Sequence, residues 1–155
     1  MKRNQNLQPL SRQHHNGLLA SLLLQKGVNK QGPLPIMKDF VMYFFEMDLN
    51  EHFRLEEEFL IPIMSSNILL KSAADKILAD HAALRSLRDK IVEAPSYKDI
   101  TAFSTLLEQH IRYEERVAFN EAEQLLTEDQ LQSIGSSVQE FNDKNCMNYP
   151  VKFWE

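Results

Sequence analysis

Cysteine is almost missing from this chain: there is one, Cys146, in 155 residues. A lone thiol excludes an intrachain disulfide framework, a Cys-rich structural zinc site and an iron–sulfur cluster, and it fits a reducing cytosol. Glycine (4) and proline (6) are also scarce, and no tract is repetitive. Long regular elements are therefore expected, not a loop-rich sandwich or a disordered chain. Basic residues are outnumbered, 17 Lys and Arg against 22 Asp and Glu for a net charge of −5. That balance disfavours a nucleic-acid partner, because Lys and Arg carry phosphate affinity. No apolar run approaches a membrane span, and the opening MKRNQNLQP lacks the apolar stretch of a signal peptide. A cytoplasmic protein with no membrane or nucleic-acid role is the expectation. Its 43% hydrophobic residues suffice for one core, hence one domain over residues 1–155.

What the chain does have is helical periodicity. A first helix is expected from Leu10 and Ser11 to Gly27, with Ser11 as N-cap and Gly27 as stop. A second runs from Pro35 to Pro62, where it should end or kink. A third covers Ser72 to Glu93, before Pro95, and a fourth runs from Ser96 to about Glu123. Thr127 and Gln130 form a capping-box pattern for a fifth, shorter helix ending near Phe141, and the tail NCMNYPVKFWE could dock its aromatic residues. Four long helices with short connections and no strand-like alternation predict an all-α, antiparallel up-and-down four-helix bundle. Its core spans about residues 8–123, with the fifth helix and tail at 127–155.

The histidines fall on the apolar stripes. At about 100° per residue, Val41, Phe45, Leu49, Phe59 and Ile63 bracket His52, with Glu56 about 40° away and Glu57 and Glu58 turned outward. Phe103, Leu106, Leu107 and Val117 likewise bracket His110, with Glu114 about 40° away and Glu115 turned out by about 140°. On the first helix Leu18, Leu19, Leu22 and Leu23 centre on His15 and leave His14 on a flank. On the third, Ile77, Leu78 and Leu84 surround His81. The order His, then His-x-x-x-Glu, thus occurs twice, His15 with His52 and Glu56, and His81 with His110 and Glu114, as a two-fold internal plan.

One histidine on an apolar face is most often an ordinary hydrogen-bonded core residue. An inward glutamate is rarer, because an unpaired buried charge costs several kcal/mol. Three explanations stand: a buried His–Glu network, carboxylates that reach solvent at helix ends, or metal. Four imidazoles and two carboxylates spread over four helices make an N/O ligand set for one or two transition-metal ions. Two irons suit it best; manganese or zinc could take the same ligands.

At LSRQHHNGLL, HFRLEEEFLIP, DHAALR and HIRYEERVAF the chain resembles the hemerythrin-like, HHE cation-binding family, over about residues 8–122. The resemblance implies a four-helix bundle around a non-haem di-iron centre bridged by a carboxylate and an oxo or hydroxo group. In the oxygen carriers O2 binds reversibly there, and other members sense iron, oxygen, nitric oxide or redox state. The carriers bring two histidines four residues apart from the third helix, where this chain has His81 and Arg85. They also take an aspartate five residues after the fourth-helix histidine, where this chain has Glu115. Arg85 could instead pair with a carboxylate. The expected function is a di-iron protein that binds or senses O2, NO or peroxide. The alternatives are a di-iron oxidoreductase or peroxide-consuming enzyme, and a metal-stabilised helical module that meets a protein partner or a second copy of itself.

Overall fold

The computed structural model describes residues 2–139 and 151–155; Cys146 and the expected end of the fifth helix near Phe141 lie outside them. Helix α1 is Gln8–Asn29, with Pro9 in the first turn, where a missing N–H goes unused. Ser11 is therefore inside the helix, not its cap, and its hydroxyl donates to Glu115 Oε1. Gly27 does not stop the helix either. It is buried, and a Cβ there would stand 2.7 Å from Phe153 Cδ2 and 2.8 Å from Met37 Cε. The chain leaves α1 through Gln31, at φ 51°.

Helix α2 runs over residues 34–65 and passes through Pro62 without ending. Just before it the turn widens over Glu56–Leu60, where Ile61 N–H bonds back five residues to Glu56 O. A widened turn makes room for the pyrrolidine ring and carries the ladder past a residue with no N–H. Two similar wide turns occur at Phe45–Leu49 in α2 and Glu114–Ala118 in α4. Helix α3 is Lys71–Glu93. Helix α4 covers residues 97–125 and starts where Ser96 Oγ accepts from Asp99 N–H at 3.1 Å. Helix α5, Glu128–Val138, opens with the expected capping box of Thr127 and Gln130. The short links between α1 and α4 reverse the chain each time, which gives four main helices in a bundle with a shorter one added. No helix among the described residues is long and apolar enough to cross a membrane.

The apolar interior is divided in two. One cluster gathers Leu24, Met37, Phe40, Phe44 and Phe103, and Phe153 docks into it with its ring 5.0 Å from that of Phe40. The other gathers Leu7, Leu60, Met64, Ile77 and Phe119 and is closed by Leu131, Ile134 and Val138 of α5. Each fully buried side chain of this size contributes about 1.5–3 kcal/mol. On each of the four main helices a buried histidine falls near where the chain passes from one cluster to the other.

Candidate metal centre

Each main helix turns one histidine into that polar layer: His14, His52, His81 and His110 are all buried, and Glu56 and Glu114 are wholly so. His15, expected as the α1 member, is instead exposed, in an outer groove with Leu18, Leu19, Leu22 and Arg112. His14 takes its place. The face of α1 that meets α4 is built from small residues, so large apolar side chains do not mark it. A Cβ on Gly17 would stand 2.5 Å from Ile111 Cδ1, and Ser21 Oγ donates to Ser104 O at 2.7 Å.

Every imidazole is held from outside by its Nδ1. His14 meets Glu115 Oε1 at 2.9 Å, His52 meets Gln13 Oε1 at 2.5 Å, His81 meets Glu57 Oε2 at 2.6 Å and His110 meets Asp80 Oδ2 at 3.0 Å. All four partners are oxygen acceptors, so Nδ1 carries the proton and Nε2 is the atom turned inward. The inward atoms crowd the two glutamates. His14 and His110 Nε2 lie 3.0 and 3.1 Å from Glu114 Oε1, and His81 and His52 Nε2 lie 3.1 and 3.3 Å from Glu56 Oε1. The His52 and His110 contacts are out of line for hydrogen bonding, so their Nε2 atoms, with Glu56 Oε2 and Glu114 Oε2, have no partner. Buried polar atoms are nearly always satisfied. Four such atoms in one buried polar layer fit bound cations.

The donor atoms form two groups: His14, His52, Glu56 and Glu114, and then Glu56, His81, His110 and Glu114, each within 4.8 Å of one another. Either group could hold a metal ion, and the two share both glutamates. Burial pushes the His52 and His110 imidazoles down, but Glu56 and Glu114 around the first and Glu114 and Asp80 around the second outweigh it and hold both up at about 10. Burial opposes the Glu114 charge, yet His110 and its other partners keep that carboxyl well below its usual range. A cation at these atoms would displace imidazolium protons and take over the neutralisation of the carboxylates.

The wide turns begin at the two inward glutamates. They let the next residue serve the site too: Glu57 and Glu115, expected to face away, are the half-buried acceptors for His81 and His14. Arg85, at the position of the carriers' extra histidine, forks onto Glu57 at 2.9 and 3.2 Å and lies 5.3 Å over the Phe53 ring, which stacks on His81 at 3.8 Å. The other half repeats this. Arg3 bonds Glu115 at 3.0 Å and lies 5.5 Å over Phe119, which stacks on His14 at 5.5 Å. Gln13, Asp80, Arg3 and the two aromatic residues are not among the residues expected from the sequence. Once the helices are packed, a repeat emerges for part of this set: the residue before a histidine (Gln13, Asp80) and the residue after a glutamate (Glu57, Glu115) play the same part in both halves.

Two His/carboxylate nests on a shared pair of glutamates, inside a four-helix bundle, could each hold a cation. Over residues 9–122 the chain matches the Hemerythrin HHE cation binding domain, and it belongs to that family. No curated protein and no solved structure matches it.

Beside the His14 and His52 nest lies a small, mainly apolar cavity of about 10 Å³, with Gly17, Phe44, Leu49, Leu107 and Ile111 in its walls. That is about the volume needed for one water-sized molecule.

Proposed function

We propose that this is a non-haem di-iron protein that binds or senses O2 or related small oxidants, NO and peroxide, with His14, His52, Glu56, His81, His110 and Glu114 as ligands. The observation that carries the reading is the pair of nests sharing Glu56 and Glu114, with unpartnered donor atoms turned into them. Imidazole with carboxylate suits iron, and also manganese or zinc. Bound iron supplies a redox-active Lewis acid. Two imidazoles and two carboxylate oxygens per position fall short of an octahedral shell, which leaves room for a small ligand. The carboxylates balance the cationic charge, the outer acceptors hold the rings in place, and the apolar cavity wall keeps bulk water from the His14 and His52 side.

The test is spectroscopic. Iron-loaded, reduced protein mixed anaerobically with NO, and the oxidised form mixed with azide, should each change their optical spectra in a saturable way. Leu107→Phe, which reduces the cavity with a small increase in volume and removes no ligand, should weaken both responses at unchanged iron content. Iron-loaded protein that responds to neither ligand would contradict the reading.

A further inference from the structure

The two halves of the centre are built on one plan but not from the same parts. His110 is backed by Asp80, a carboxylate, whereas His52 in the equivalent place is backed by Gln13, a neutral amide. An anionic acceptor on Nδ1–H makes an imidazole the more basic ligand, and such outer partners alter metal affinity by about 10–100-fold. Lys76 reaches Asp80 at 3.1 Å from its solvent side and is itself half-exposed, where water screens its charge.

The second difference lies in what carries each arginine. Arg85 stands within α3, while Arg3 stands in the segment before α1. Arg3 is the less exposed of the two, and it also bonds Glu115 O at 2.7 Å and Asn120 and Glu123 at 3.0 Å. Its contacts are good, but the backbone under it belongs to no helix. It is tied down by Asn4 N–H to Glu123 at 2.7 Å, and Asn6 presses on α5 where a Cβ on Gly135 would stand 2.9 Å from Asn6 Cβ. Lifting this strap takes Arg3 off Glu115 and leaves that carboxylate with only Ser11 and His14 as partners, without opening any helix, and local openings of this kind cost less than global unfolding.

Both differences fall on the same nest. Resting on the two-metal reading above, we propose that the two positions are unequal by construction. The one between His81 and His110, backed by Asp80 and Arg85, fills first and holds its ion; the one between His14 and His52, backed by Gln13 and Arg3, fills second and exchanges. Gln13 and Arg3 are then positioning residues that set how readily one ion enters and leaves.

Titrating Co2+ into metal-free protein, followed by calorimetry and visible absorption, tests this without any activity. The expected result is two steps, their affinities about 10–100-fold apart. Arg3→Ala should weaken only the second step. Gln13→Glu should strengthen only the second, by about 10-fold. Asp80→Asn should weaken the first. Gly135→Ala, which displaces the strap and touches no ligand, should act as Arg3→Ala does. If Asp80→Asn does not fold, Gln13→Glu decides. Two equal steps in the unaltered protein, or Arg3→Ala weakening the first step, would overturn the inference and leave the two-metal reading intact. No Co2+ uptake at all would overturn both.

Discussion

Glu114→Gln is expected to strip both metal positions together, not one. Glu114 contributes to both nests, so an amide there removes an anionic donor from each. Outer partners alone alter affinity by about 10–100-fold, and loss of a shared ligand should exceed that for both ions. Glu56→Gln should do the same, for the same reason. The fold should survive either change, because the side-chain volume is kept and the apolar clusters lie on both sides of the polar layer. Metal analysis with circular dichroism checks it: both ions lost at unchanged helix content. Loss of one ion only would contradict the sharing. His15→Ala, on the outer face, should change nothing.

Removing metal from the unaltered protein should lower its stability substantially. Metal-free protein keeps four imidazoles and the Glu56 and Glu114 carboxylates packed against one another in its interior. Ions that bind only the native state add about 2.7 kcal/mol per position at a free concentration of 100 times Kd. For two positions this is on the order of 5 kcal/mol, or about 10–20 °C in Tm for a chain of this length. Calorimetric scans at fixed free metal should show that difference. Equal midpoints with and without metal would mean that the cation does not engage the buried layer.

The helices, their order and three of the four histidines could be read from apolar periodicity, because that periodicity is what packs the bundle. It failed where the helix departs from 100° per residue. At the end of the wide turn Glu114–Ala118, Val117 rotates outward to 37% exposure while Ala118 and Phe119 turn in. From the end of the turn Glu56–Leu60 onward, Leu60, Ile61 and Met64 are buried in place of the expected Phe59 and Ile63. A turn that bonds five residues back inserts a residue into the ladder without a composition signal. On α1 the error had another source. Gly17, Ala20 and Ser21 share the buried face with Leu10, Leu23 and Leu24, and residues chosen for being small carry no weight in a hydrophobic count. The support of the imidazoles was hidden for a third reason: Gln13, Asp80, Glu57 and Glu115 look like solvated surface, and only the fold shows each one against a ring from another helix.

The most direct test of the central claim is an anomalous difference map at the iron absorption edge, from crystals of protein loaded anaerobically with Fe2+. The account predicts two peaks, one between His14 and His52 and one between His81 and His110, with Glu56 and Glu114 against both. No peak in the buried layer, or a peak only on the outer groove at His15, would contradict it.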